Sequence, residues 1–548
     1  MKKNPCKYIF VVGGVISGVG KGITTSSIGL ILKNRGLSVT AIKIDPYINV
    51  DAGTMNPTEH GEVFVLSDRD ETDQDMGNYE RFLDINLTRI NYMTTGRVYQ
   101  SVIERERNLG YKGKCVQVVP HIPFEIIDRI KKAGENSNAD VVVIEVGGTV
   151  GEYENILFLE AARMMKIQSP KDIFFVMVSY LPTPGKVGEM KTKPTQHAVR
   201  ALNTSGIQPD ILIARGETSL DEKRKEKLSL FCNMAADRIV SAPDVESVYD
   251  IPLNFEKEKF SEKLCSIMGV ICKAPNKKSW DLWKNFAKHA HNNKNTIKIA
   301  MIGKYFKTGD FILSDSYLSV IEAIKYSSYA QGKKPIISWL DSVDFETNPA
   351  KLKELKKYDG IVVPGGFGAR GVEGNLRVIR FARENKIPYF GLCYGMQMMA
   401  IEYARNVLGI KDATTREIEP KGKNCVIDIL DEQKDNLKNH NYGGSMRLGG
   451  FKAVLKEGTV ARAAYNKKEI DERHRHRYEV NPDYIPALED NGLVFSGTSP
   501  DKRLMEISEL PKSKHPFFLA AQFHPEFLAR PLSPHPLFTA FIKACIKK

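Results

Sequence analysis

An apolar run, Tyr8–Val12, breaks off at GGVISGVGKGITTSS, residues 13–27, and a helical period from Lys21 to Arg35 follows, closed by Gly36. A strand, a glycine-rich loop and a helix in direct succession leave few folds open. The glycines let the backbone turn sharply and aim its amide N–H groups inward. The helix N-terminus adds positive potential and Lys21 adds a full charge, so the loop suits polyphosphate. The spacing differs from the strict G-x-x-x-x-G-K-[ST] pattern. Counting back from Lys21, the usual glycine position holds Val15, Gly14 comes one residue earlier, and Gly22 stands in place of Ser or Thr.

The alternation continues. Val39–Ile44, Val141–Val146, Ile173–Val178 and Ile211–Ala214 read as further buried strands with helical periods between them. This predicts an α/β class with a doubly wound parallel sheet. Around 274–296 the chain turns polar, basic and helix-like, APNKKSWDLWKNFAKHAHNNKNT. The expected division is a domain over 1–274, a linker over 275–296 and a second doubly wound α/β domain over 297–548, with strands at Ile297–Ile302, Gly360–Val363, Pro388–Phe390 and Phe517–Phe523. A chain of 548 residues is long enough for two large domains.

Composition narrows the partners. A net charge of +13 suits nucleic acid or small polyanions such as nucleotides. No RNA-binding signature, zinc finger or basic helix with heptads is present, so nucleic acid is not expected. The eight cysteines, at 6, 115, 232, 265, 272, 393, 425 and 545, form no C-x-x-C pair and no zinc-spaced cluster. Reduced thiols in a cytoplasmic protein are expected. Lys2, Lys3 and Lys7 before Tyr8–Val12 imitate a signal peptide, yet the run is short and leads into the Lys21 loop. No apolar stretch reaches the ~18 residues a membrane helix needs, so no membrane partner is expected.

If Gly22 brings no hydroxyl, a magnesium ion accompanying phosphates needs other oxygen ligands. Asp73 and Asp75 in DETDQDMG, and Glu145 near the end of VVVIEVGG, are the candidates. An acidic loop is usually a solvated surface, and these residues by themselves do not choose between Asp73 and Asp75. Glu145 is the sharper signal. A carboxylate closing a strongly apolar strand needs a partner, and strand ends are where open α/β sheets hold ligands. KVGEMKTKPTQH, residues 186–197, gathers Lys186, Lys191 and Lys193 with Thr192, Thr195 and Gln196, a candidate second polyphosphate site.

In the second half, GLCYGMQMM at 391–399 places Cys393 in a G-x-C-x-G pattern between a strand and a helix expected over 396–409. This is the cysteine form of the nucleophile elbow. His524-Pro525-Glu526 offers a base and its orienter. Pro525 biases His524 toward extended geometry, in which Glu526, two residues on, faces the same side. VVPGGFGARG, residues 362–371, follows a strand with Gly365-Gly366-Phe367-Gly368, whose amides can meet an oxyanion.

P-G-G-F-G, G-x-C-x-G-M-Q and H-P-E together resemble a class I (triad) glutamine amidotransferase. Preceded by GGVISGVGKG, KIDPYINVDAGT, EHGEVFV, IEVGGTVG and KTKPTQH, they make nearly the whole chain similar to the CTP synthase family. The first loop is similar to that of the dethiobiotin-synthetase-like branch of P-loop enzymes. The resemblance implies an N-terminal amidoligase that uses ATP, with Mg2+, to phosphorylate O4 of UTP. It implies a C-terminal domain that hydrolyses glutamine and supplies the ammonia that displaces this phosphate to give CTP. By the same resemblance, Gly18, Val19, Gly20, Lys21, Gly22 and Ile23 bind ATP, with Asp75, Pro243, Asp244 and Val245. Asp75, rather than Asp73, and Glu145 match the metal ligands. Ser17, Glu152, Tyr153, Glu154, Lys191, Thr192, Lys193, Pro194, Thr195, Gln196 and Lys227 match the site for UTP, shared by CTP as product inhibitor. Cys393, His524 and Glu526 match the catalytic triad. Gly366, Leu392, Tyr394, Gly395, Met396, Gln397, Glu417 and Arg477 match the glutamine contacts, an arginine suiting a carboxylate. GTP is implied as an allosteric activator, with GGSMRLGG at 443–450 similar to the segment near that effect. A homotetramer built through the amidoligase domain is implied as well.

Some stretches depart from the family pattern. GEYE at 151–154 stands for Gly-Asp-Ile-Glu, Tyr394 stands for the common Leu after the nucleophile, and FKTGDFILSDSY at 306–317 is longer than the usual segment. Rival readings are another P-loop amidoligase fused to a glutaminase, such as a cobyric-acid-synthase-like enzyme, and a catalytically inactive nucleotide-binding scaffold. KTKPTQH and KIDPYINVDAGT speak against the first; Lys21 and the Cys393/His524/Glu526 set speak against the second.

Overall fold

The computed structural model describes residues 5–185, 188–292, 294–304, 307–308, 311–312, 314–430, 433–434 and 443–547. Lys186 and part of the 306–317 segment lie outside the described residues. The chain forms two compact units: residues up to Asp51 with Asp75–Ala287, and Ala52–Gln74 with the chain from Lys288 onward.

The first unit is built on a seven-stranded sheet in the order Tyr92–Thr94, Val39–Asp45, Val141–Val146, Lys7–Gly14, Ile173–Tyr180, Ile211–Gly216, Ile239–Pro243. Every neighbouring pair is parallel. Such strands are covered on both faces, which is why Val141–Val146 is buried along its whole length and reads as an apolar run broken only by Glu145. The parallel direction brings the carboxyl ends of the strands to one edge of the sheet, where open α/β folds hold ligands. Much of the stretch expected as a linker is the helix Lys277–Ala290. Its Trp283 is buried and donates Nε1 to Tyr249 O at 3.0 Å, within the first unit.

Reduced thiols were expected, but Cys265 and Cys272 form a disulfide. The helix Phe260–Met268 ends on Gly269 in the left-handed region (φ 62°), and the chain turns back to bring the two Cα atoms within 6.3 Å.

The second unit holds a nine-stranded sheet in the order Lys334–Asp341, Thr296–Gly303, Gly360–Val363, Tyr389–Leu392, Phe518–Ala521, Met505–Glu509, Val494–Thr498, Arg447–Leu455, Glu469–His476. The first five are parallel, and the rest extend the sheet antiparallel. The excursion Ala52–Gln74 adds the hairpin Val63–Val65 with Glu71–Asp73 to this unit. Phe64 is fully buried against Phe527, with 5.0 Å between ring centres. Arg473 donates to Val65 O at 3.1 Å and to Ser67 Oγ at 3.0 Å, and Arg475 pairs with Glu71 at 2.8 Å. Among the described residues no helix is long and apolar enough to cross a membrane.

Candidate active sites

In the first unit the glycine loop joins the strand Lys7–Gly14 to the helix Lys21–Asn34. Gly18 and Gly20 take φ of 68° and 90°, a region that glycine enters without strain. Lys21 is buried and its Nζ donates to Gly148 O at 2.8 Å. Burial pushes its pKa down and Lys43 adds to this, while Glu145 opposes it. Ser17 is exposed on the loop. Arg215, which the sequence did not single out, reaches Gly18 O at 3.4 Å and pairs with Asp244 at 3.0 Å. It thereby ties the Pro243–Val245 segment to the loop.

Lys43 organises the carboxylates. Its Nζ lies 3.2 Å from Glu145 Oε1 and 3.5 Å from Asp45 Oδ1, and it forms a short ion pair with Asp75. Asn78 Nδ2 donates to Asp75 Oδ1 at 3.2 Å, and Tyr79 donates its hydroxyl to Glu145. Asp73 instead lies in the hairpin of the second unit, opposite Val63. Burial pushes the Asp75 carboxyl up, but Lys43 and Asn78 outweigh it and hold it below the usual range. Burial raises Glu145 and Asp45 against the opposing pull of Lys43. A Cβ at Gly22 would come within 2.7 Å of Asp75 Cγ. The missing Ser or Thr has a steric reason: the carboxylate takes that room. Among the described residues no group of three or more His, Cys, Asp or Glu is placed to enclose a metal. The hard carboxylate oxygens of Asp75 and Glu145 nonetheless suit Mg2+, which usually takes only one or two protein carboxylates beside substrate phosphates.

The lysine-rich segment enters the helix Lys193–Thr204, with Pro194 in its first turn. Thr195 is buried, its hydroxyl 2.9 Å from Ser179 Oγ, and Gln196 donates to Thr192 Oγ1 at 3.1 Å. Lys191 pairs with Glu189 at 2.7 Å. That carboxyl is held below its usual range first by Lys191, then by Arg224 and Lys227. Glu152 turns its carboxylate to the Thr149 amide at 2.7 Å, while Tyr153 and Glu154 are exposed. No hydrogen bond among the described residues joins Glu152, Glu154 or Lys227 to the Lys21 loop.

In the second unit Cys393 sits between the strand Tyr389–Leu392 and the helix Tyr394–Asn406 at φ 48°, ψ −96°. A non-glycine residue in that region stores strain, the mark of a nucleophile elbow. A Cβ at Gly391 would come within 2.8 Å of the Gly395 carbonyl carbon, so the sharp turn needs a glycine there. The Cys393 amide donates to Ala521 O at 2.7 Å, and Gln522 Nε2 lies 3.5 Å from Sγ. His524 stacks on Phe527, with 5.1 Å between ring centres, and its Nδ1 lies 2.7 Å from Glu526 Oε1. Glu526 reaches it from a turn of 3-10 helix, Pro525–Leu528, and not from the extended strand expected. Among the described residues Nε2 meets no hydrogen-bond partner at close distance, and Cys393 acts electrostatically on the ring. Burial pushes the imidazole pKa down, but Glu526 and Cys393 outweigh it and lift it to about 10.

Cys393, His524 and Glu526 line a cavity of about 100 Å³ with Gly365, Gly366, Phe367, Arg475, Glu62 and Val63. A Cβ at Gly365 would lie 3.0 Å from His524 Cε1 and 3.9 Å from Cys393 Cβ. The bare loop therefore leaves room between thiol and imidazole. Glu417 Oε1 accepts from the Gly368 amide at 2.8 Å, and Gln397 Nε2 donates to Tyr478 O at 3.1 Å. Leu392, Tyr394, Gly395 and Met396 are buried. The arginine on the cavity wall is Arg475. Arg477 donates to Gln433 Oε1 at 2.8 Å and to Ser445 Oγ at 3.0 Å, which links it to the 443–450 segment. The sequence flagged Glu62 and Val63 only through a motif resemblance and Gln522 not at all.

Residues 7–270 match the family model described as CTP synthase N-terminus, and residues 312–544 match class-I glutamine amidotransferase. The chain is 48% identical over 543 residues to a CTP synthase of Halalkalibacterium halodurans, covering 99% of each chain. It is 51% identical over 540 residues to a CTP synthase of Pyrococcus furiosus, covering 98% of this chain and 97% of the relative. The solved glutaminase domain of Trypanosoma brucei CTPS, with bound acivicin, is 36% identical with a TM-score of 0.42, covering 46% of this chain and 95% of that one. With identity this high over almost its full length, the chain belongs to the CTP synthase family.

Proposed function

We propose that the protein makes CTP, converting ATP, UTP and glutamine to ADP, phosphate, CTP and glutamate. The observation that carries this is the convergence of Cys393, His524 and Glu526 on one cavity, in a chain whose other unit buries Lys21 beneath a glycine loop. Cys393 passes its thiol proton to His524 Nε2, and the thiolate attacks the carboxamide carbon of glutamine. The carbonyl oxygen takes up negative charge, which the Gly365 and Gly366 amides stabilise. His524 gives its Nε2 proton to the leaving nitrogen, ammonia departs and a thioester remains. His524 then takes a proton from water, hydroxide attacks the thioester carbon, and glutamate leaves as the thiol is restored.

In the other unit, O4 of UTP attacks the γ-phosphorus of ATP and ADP leaves. Lys21 and the loop amides hold the phosphate charge. Ammonia then adds at C4, phosphate departs, and loss of a proton gives CTP. Asp75 and Glu145 would hold Mg2+, which when bound neutralises polyphosphate charge. GTP as activator through the 443–450 segment, CTP as inhibitor at the UTP residues, and a cytoplasmic location complete the proposal. A homotetramer is supported by the exposed apolar side chains Ile103, Phe124, Ile156 and Ile167 on the first unit.

The test is incubation with UTP, ATP, Mg2+ and either glutamine or ammonia. CTP is expected with both, and Cys393→Ala should abolish only the glutamine-dependent reaction. No CTP from either nitrogen source, or equal loss of both in the variant, overturns the proposal.

A further inference from the structure

Lys304 follows the strand Thr296–Gly303 and is buried. Its ammonium donates to Gly368 O at 2.6 Å, to Phe367 O at 3.3 Å and to Tyr394 Oη at 2.7 Å. It also lies 4.0 Å from the centre of the Tyr394 ring. Tyr394 Oη donates in turn to Gly368 O at 3.1 Å. From the other side the Gly368 amide is held by Glu417 at 2.8 Å. Gly368 (φ 78°) is thus bonded through both its carbonyl and its amide. This matters because Gly365, Gly366 and Gly368 give the loop the freedom to rotate its peptides away from a productive orientation. A leucine at 394 would offer neither a hydroxyl nor an aromatic face.

We propose that Lys304 and Tyr394 form a clamp that fixes the Gly365–Gly368 loop with its Gly365 and Gly366 amides aimed at the glutamine oxyanion. Both are then positioning residues for the glutaminase step. The clamp rests on the glutaminase reading above. It is worth most where the loop stabilises charge that develops only in the transition state, so its loss lowers kcat more than it raises KM. The clamp also titrates. Burial pushes the Lys304 pKa down to about 8, against the pull of Glu417 and Glu346 and with the help of Arg370. A neutral amine keeps two N–H groups for three acceptors, so the loop loosens as pH rises through that value.

Tyr394→Phe, which keeps the ring, and Lys304→Met are compared with wild type for glutamine hydrolysis, ammonia-dependent CTP formation and thermal stability. Tyr394→Phe is expected to lower glutaminase kcat about tenfold and Lys304→Met about 100-fold, with KM within about twofold. Ammonia-dependent synthesis should be unchanged. Wild-type glutaminase kcat should fall along a limb near pH 8 that Lys304→Arg moves upward. Wild-type kcat in Tyr394→Phe, a change confined to KM, or parallel loss of the ammonia-dependent reaction would overturn the clamp. A wild-type protein unable to hydrolyse glutamine would instead overturn the glutaminase reading on which the clamp rests.

Discussion

A side chain at residue 22 and the carboxylate of Asp75 compete for one space, since a Cβ at Gly22 would come within 2.7 Å of Asp75 Cγ. Gly22→Ala should therefore displace Asp75 from Lys43 and from the loop. CTP formation from either nitrogen source is expected to fall at least about 100-fold, because a displacement near 1 Å is enough for such a loss. Glutamine hydrolysis measured alone should stay within about threefold. Retained CTP synthesis would show that Asp75 does not need this seat.

Lys43 is the counter-charge for Asp45, Asp75 and Glu145. Lys43→Met leaves those carboxylates buried and mutually repelling, at a cost of about 3–5 kcal/mol. The sign of the pH dependence follows. Without the ammonium the folded-state carboxyl pKa values rise above their unfolded values, so the folded state binds more protons and gains as pH falls. Urea unfolding should show the deficit shrinking between pH 7 and pH 5. A deficit constant with pH would mean that the carboxylates have found another partner.

Glu526 and Cys393 together lift the His524 pKa to about 10 despite its burial. A raised histidine pKa stabilises the fold fully below about 6.5, and this contribution is lost as pH rises through 10. Glu526→Gln removes the larger of the two raising contributions. Its stability deficit should be greatest near pH 6 and should narrow toward pH 10. Glutaminase kcat should fall about 10²- to 10⁴-fold, while ammonia-dependent synthesis persists. A deficit that grows with pH would contradict the ion-pair origin of the shift.

The parts of both sites legible in the sequence are those flagged by glycine or proline. The strand and loop before Lys21, the elbow at Cys393 and the His524-Pro525-Glu526 run each announce a backbone geometry. The partners were hidden because the fold pairs them. Lys43 is an ordinary residue in KIDPYINV until parallel pairing sets it opposite Glu145. Asp73 and Asp75, two apart in sequence, end in different units. The strand Glu469–His476 was missed because most of its buried positions, Glu472, Arg473, His474 and His476, carry ionisable side chains where an apolar face is expected, and Arg447–Leu455 opens on an arginine and two glycines. Arg447 meets Glu506 at 2.6 Å and Glu479 at 3.2 Å, and His474 meets Glu506 at 2.7 Å. In ERHRHRYEV, alternation leaves Arg475 and Arg477 alike, and only the bend at Arg477 after the strand separates them.

The hairpin Val63–Val65 with Glu71–Asp73 lies far from residue 393 in sequence, yet it belongs to the unit that carries the thiol. Phe64 fills a space against Phe527, the ring on which His524 stacks. The Arg473 guanidinium lies 5.5 Å from the Phe64 ring centre, and the Arg473 carbonyl accepts from the His524 amide at 2.8 Å. Phe64→Ala should open a cavity costing about 3–5 kcal/mol and free Phe527 to tilt. The imidazole would lose its stacking surface, so glutaminase kcat should fall by more than tenfold through misplacement of His524. Phe64→Leu refills most of the volume and should recover most of the stability. It should recover less of the rate, since the edge contact that fixes Phe527 needs a ring. Urea denaturation and glutaminase kinetics on the two variants check this. Full activity in Phe64→Ala would show that the hairpin supports the unit without orienting the imidazole.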